Sequence, residues 1–144
     1  MRTAVLLAAI LLLDVSSHAQ TRPSAPDLPP ALARVLTDYE KAWRAKDAKA
    51  LAQLFVEGRV VVPNACPPAN SRAEVEKCYS GSGGDLSLRA LAHGMDGSLG
   101  YIIGEFAQKE GAPPSGKFVL TLWKDSDGRW LILADMDRGY RRAP

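Results

Sequence analysis

The residue type best placed to do chemistry is Asp135, near the end of the stretch Gly116 to Asp137, GKFVLTLWKDSDGRWLILADMD. β-Branched, aromatic and leucine residues flank the turn-forming run Asp125-Ser126-Asp127-Gly128, which predicts a hairpin. With those four residues unpaired, Lys124 faces Arg129, Trp123 faces Trp130, Leu122 faces Leu131, Leu120 faces Leu133 and Phe118 faces Asp135. Alternation then puts Asp135 on one face with Phe118, Leu120, Leu122, Leu131 and Leu133. A carboxylate on such a face costs several kcal/mol unless it is hydrogen-bonded, paired or protonated. Asp135 is therefore expected either to belong to a site or to meet a partner from elsewhere in the chain.

Tyr39 is the second candidate. With Leu32, Val35, Leu36 and Trp43 it recurs at helical spacing, so Tyr39 and Trp43 point the same way. A carboxylate such as that of Asp135 accepts a proton without a cofactor, so Asp135 is the expected proton acceptor. Trp43, Phe118, Leu120, Leu133 and Glu105 are the expected ligand contacts. Each has a structural alternative: Tyr39 as a packed core tyrosine, Trp43 as core, Glu105 as a solvated strand residue, and Asp135 bonded to nearby backbone or to Arg138.

Other chemistries are excluded by what is missing. If the leader described below is removed, His93 is the only histidine left, too few for a histidine-rich zinc site, a two-histidine iron site or an HExxH protease. No G-x-S-x-G elbow, P-loop or dinucleotide-binding glycine fingerprint occurs. No cofactor and no metal is expected. A formal net charge of +2, without a basic stripe interleaved with aromatics, argues against nucleic acid as a partner.

The elements that must hold these residues follow in order. Met1–Ala19 reads as a signal peptide, with Arg2 ahead of the apolar run from Ala4 to Leu13 and a small-x-small Ser17-His18-Ala19 before Gln20. The mature protein is expected to be periplasmic or secreted, with no membrane segment after cleavage. Residues 20–30, rich in proline, are expected to be a flexible leader. A helix from Ala31 to about Lys46 comes next, then a second helix capped by Asp47 that buries Leu51, Leu54 and Phe55 and stops at Glu57-Gly58. Arg59 to Val62 reads as a short strand. Ser71 to Glu74 has capping-box spacing and opens a third helix with Val75, Cys78 and Tyr79 inward. Leu86 to Met95 and Leu99 to Gln108 form a hairpin around Asp96-Gly97, which groups Tyr101, Ile103 and Glu105 with Leu88, Ala90 and Ala92, and His93 with Ile102. In an oxidising compartment Cys66 and Cys78 are expected to form a disulfide; two inert thiols or a redox pair are the alternatives, although the spacing is unlike C-x-x-C. The sum is an α+β domain, three N-terminal helices against a curved antiparallel sheet, with a pocket between them.

The pattern Tyr39-x-x-Ala42-Trp43-x-Ala45-x-Asp47-x-x-x-Leu51-x-x-Leu54-Phe55, with Asp127-Gly128-Arg129-Trp130-x-Ile132 near the end, resembles the nuclear transport factor 2-like superfamily, and in particular its ketosteroid isomerase-like and SnoaL-like branches. The resemblance covers residues 31–142 and implies a cone-shaped sheet enclosing a pocket for a small apolar molecule. It also implies a homodimer through the sheet, for which Trp123 is the expected contact, and the alternative to a small-molecule site is a non-catalytic module whose sheet mediates dimerisation or partner binding. Tyr39 stands where the steroid isomerases have their enolate-binding tyrosine, so the resemblance implies Tyr39, donating to a carbonyl or hydroxyl oxygen, as the catalytic partner of Asp135. Their two carboxylate positions are occupied here by Val62 and about Leu120, so the isomerase reaction is not implied.

Overall fold

The structure, a computed structural model, describes residues 26–140. The expected signal peptide, most of the leader and Arg141 and Arg142 lie outside the described residues. Among the described residues, three helices, α1 (Pro30–Arg44), α2 (Ala48–Ala52) and α3 (Arg72–Tyr79), precede four strands, β1 (Ser87–Asp96), β2 (Leu99–Ala107), β3 (Gly116–Lys124) and β4 (Trp130–Gly139). The strands form one antiparallel sheet in the order β1-β2-β3-β4, as short hairpin connections require.

The helices begin where local chemistry starts them. Pro30 opens α1 at a position where its missing N–H is not needed. Leu28, just before it, already packs on the core, so the leader is anchored at its end. Asp47 caps α2 by accepting from the Ala50 amide at 2.8 Å. Ser71 caps α3 through the Glu74 amide, while the Glu74 carboxylate reaches back one residue further, to the Asn70 amide. The second helix is shorter than expected, ending at Ala52; Phe55 is nevertheless fully buried because the chain turns beside β4. The expected strand at Arg59–Val62 is reduced to bridges at Val61 and Val62. The Val62 amide donates to Leu133 O and Val62 O accepts from the Asp135 amide, while the Ile132 amide donates to Leu54 O. These contacts satisfy the outer edge of β4, which would otherwise expose unpaired backbone groups.

Both hairpins depart from the expected register. The β3–β4 loop is Asp125–Arg129, so that Lys124 pairs with Trp130 and Trp123 with Leu131. The Asp125 carboxylate holds it by accepting from the Asp127 and Arg129 amides. A β-bulge then intervenes between Ile132 and Ala134, after which Leu120 pairs with Asp135 and Phe118 with Asp137. Two one-residue shifts restore the original face, so Asp135 keeps Leu120 and Phe118 as neighbours. Leu133 becomes the extra residue of the bulge and Leu131 leaves that face. Trp123 and Trp130 therefore do not face one another; the Arg59 guanidinium lies 4.3 Å from the Trp123 ring centroid instead. In β1–β2, Asp96 pairs with Leu99 and a second bulge lies between Ala90 and Ala92. It pairs Arg89 with Glu105 and moves Leu88 and Ala90 away from Ile103, opposite Phe106 and Gly104.

The core lies between the helices and the inner sheet face, with Leu32, Leu51, Phe55, Ile102, Leu122 and Ile132 inaccessible or nearly so. Gly104 is required by this packing, because a Cβ there would stand 2.3 Å from the Phe118 ring.

Candidate functional site

Asp135 projects from β4 into the space between sheet and helices and is 4 % exposed. Two hydroxyls meet it. Tyr39, from the middle of α1, donates to Asp135 Oδ2 at 2.7 Å, and Tyr79, from the last turn of α3, donates to the same oxygen at 3.1 Å. The Tyr79 hydroxyl in turn accepts from the Asn64 amide at 3.1 Å. The cluster thus joins the first helix, the third helix, the loop after Val62 and the last strand. Sequence reasoning paired Tyr39 with Asp135 and missed Tyr79 as a partner. The sequence put Tyr79 on the inward side of the capped third helix but gave no sign that this helix ends beside β4. Cys78 precedes Tyr79, and the Cys66–Cys78 disulfide ties that helix to the Asn64 loop.

The electrostatics follow from burial. Loss of water pushes the Asp135 carboxyl up to about 6, even though the hydrogen bonds from Tyr39 and Tyr79 favour its charged form, and the nearby Asp137 carboxylate pushes in the same direction as burial. Burial, followed by the negative charge of Asp135, holds both tyrosine hydroxyls well above the ordinary range, so they remain donors. Asp137 is also raised, by burial, against a hydrogen bond from the Asn64 side chain. The result is a carboxylate able to take up or release a proton near neutrality, held at one oxygen by two neutral donors.

Asp135 borders an apolar cavity of about 100 Å³. Tyr39 and Trp43 of α1 form one wall and Phe118 and Leu120 of β3 another, with Leu86, Leu88 and Phe106 at the side and Asp137 beyond Asp135. Trp43 stacks on Tyr39 and meets Tyr79 edge-on, each with ring centroids 6.2 Å apart. The expected residues Tyr39, Trp43, Phe118, Leu120 and Asp135 are therefore gathered in one place. Leu133, displaced by the bulge, and Glu105 are not among the cavity's lining residues. Glu105 sits opposite Arg89 and accepts from its guanidinium at 2.7 and 3.0 Å. That pair lines a separate, more polar cleft of about 400 Å³ with Glu40, Arg44 and Lys109. The cleft shares Leu88 and Phe106 with the apolar cavity. His93 pairs with Ile102 and its buried Nδ1 has no hydrogen-bond partner among the described residues. No group of three or more potential metal ligands occurs among the described residues, and no helix there is long and apolar enough to cross a membrane.

No protein-family model and no curated protein matches the chain. Solved structures do. A nuclear transport factor 2-like protein of unknown function from Shewanella oneidensis superposes with a TM-score of 0.59 at 21 % identity, over 74 % of this chain and 95 % of its own. A ketosteroid isomerase-like protein from Erwinia carotovora atroseptica gives 0.62 at 14 % identity, over 78 % and 95 %. A Xanthomonas campestris protein described as a calcium/calmodulin-dependent protein kinase II association domain gives 0.60 at 14 %, over 88 % and 99 %. At these identities the likeness carries the fold and leaves function to the site.

Proposed function

Because the chain has the nuclear transport factor 2-like fold, in which one architecture serves many activities, we propose from its own site that it is an exported small-molecule-binding domain, its ligand a small apolar molecule. The ligand occupies the cavity between α1 and β3 and is oriented by Asp135. The observation that carries this reading is the convergence of the Tyr39 and Tyr79 hydroxyls on one oxygen of a buried carboxylate at the edge of an apolar cavity. Oδ1 accepts from neither tyrosine, which leaves an acceptor for a donor on the ligand. With its proton affinity raised by burial, Asp135 is also suited to act as a cofactor-free proton acceptor for a bound molecule. Tyr39 is committed to Asp135, so its role shifts from contacting a ligand oxygen to setting the carboxylate's position and charge. Export is supported by the leader's composition and by the disulfide.

The test is calorimetric titration with a panel of compact apolar molecules. Binding with a negative heat-capacity change is expected, with loss of binding in Leu86→Trp, which plugs the side of the cavity. Binding unaffected by the plug would place the ligand elsewhere.

A second reading concerns the partner. The residues Ala92, Ile103, Val119 and Met136 pair in turn across all four strands, on the sheet face opposite Phe118 and Leu120. Ile103, Val119 and Met136 are 40 %, 42 % and 63 % exposed. A continuous apolar row of this kind favours a second copy of the chain packed sheet to sheet.

A further inference from the structure

The charge of the cavity is one-sided. Its ionisable lining residues, besides Tyr39, are Asp135 and Asp137, and neither is paired with a lysine, arginine or histidine among the described residues. The forces acting on Asp135 are burial, two hydroxyl donors and the repulsion of Asp137. Of the cations in the adjoining polar cleft, Arg44 is answered by Glu40 and Arg89 by Glu105 at 2.7 Å, while Lys109 lines that cleft and not the cavity. The remaining walls include four aromatic rings, those of Tyr39, Trp43, Phe106 and Phe118. A buried carboxylate without a counter-charge is unfavourable, and a cation placed among ring faces is favoured by their quadrupoles.

We propose that the ligand of this cavity is a small apolar amine, bound as its ammonium ion, with the charged nitrogen against Asp135 and Asp137 and the hydrocarbon among Trp43, Phe118 and Leu120. This rests on the reading that the cavity binds a ligand, and it adds the sign of the ligand's charge. An ammonium donates through three N–H groups, which matches an Asp135 Oδ1 that accepts from neither tyrosine and an Asp137 carboxylate two residues along the same face. A carboxylate-bearing ligand would bring a like charge to the same wall, and a neutral alcohol would leave Asp135 without a counter-charge.

The test compares cyclopentylamine, cyclopentanol and cyclopentanecarboxylate as probes, each titrated at pH 7.5 and followed by NMR chemical shifts of the full mature chain. Alkyl amines remain charged at that pH, as lysine does. The amine is expected to bind at least tenfold tighter than the alcohol, and the carboxylate weakest of the three. Asp135→Asn is expected to weaken the amine at least tenfold while changing the alcohol less than threefold. Asp137→Asn, at a more exposed position, should weaken the amine about threefold and serves as the second variant should Asp135→Asn fold poorly. Equal binding of amine and alcohol, or tighter binding of the carboxylate, would overturn the proposal while leaving the cavity a ligand site. Amine binding that survives both substitutions would overturn it as well. If no probe binds, the cavity reading falls with it.

Discussion

Asp135 determines how this protein should respond to pH. Its folded-state pKa is raised from 3.8 to about 6, so the fold favours the protonated form. The contribution is fully present below the ordinary carboxylate value and is lost as pH rises through about 6. A shift of this size corresponds to about 3 kcal/mol. Asn cannot titrate and its amide oxygen can still accept from Tyr39 and Tyr79. Asp135→Asn is therefore expected to gain stability relative to the wild type as pH rises from 4 to 7.5. Urea midpoints of both proteins across that range measure the difference, in which titrations elsewhere cancel. A difference that stays flat would show that Asp135 is not desolvated as described. Its environment was partly legible in the sequence, because one carboxylate in an apolar strand demands an explanation. Tyr79 was not, because nothing local says that α3 ends beside β4.

The elements carry their own tests. Reducing Cys66–Cys78 removes the tie between α3 and the Asn64 loop, and with it a constraint on the unfolded chain that is worth about 3 kcal/mol for a loop this short. Urea midpoints with and without reductant measure it. Gly104→Ala places a methyl group against the Phe118 ring, and overpacking of this kind is expected to cost about 1–3 kcal/mol, read as a lower melting temperature. Helix caps and strand faces were legible because they depend on residues a few positions apart. Loop length and bulges were not: the Asp125 carboxylate lengthened one turn and a bulge displaced Leu133. Each depends on bonds that compete with an equally reasonable register. Asp135 stayed on its expected face only because the two shifts have the same parity.

For the whole molecule, the sheet's exposed apolar row should decide the oligomeric state. Val119→Glu, at the middle of the row, is expected to turn a dimer into a monomer in sedimentation experiments, without loss of helical and sheet signals in circular dichroism. A wild type that sediments as a monomer at high micromolar concentration would count against the interface. The α+β class and the order of its elements were readable from periodicity and turn residues. Which faces meet across the molecule was not, since the glutamate expected in the apolar pocket instead pairs with Arg89. The pairing came from the β1 bulge, which sequence alternation does not reveal.

The hydrogen bond between Tyr39 and Asp135 joins residues 96 positions apart, and this bears on when the site exists at all. Contacts of such long range must wait for the intervening chain to be organised, which slows folding. Both tyrosine–carboxylate bonds depend on β4, the last of the four described strands to be synthesised. A chain still being delivered, with its first helix already formed, would have Tyr39 without its acceptor and no closed cavity. Ligand capture would therefore report completed folding: refolding followed by ligand uptake should lag behind the recovery of helical signal.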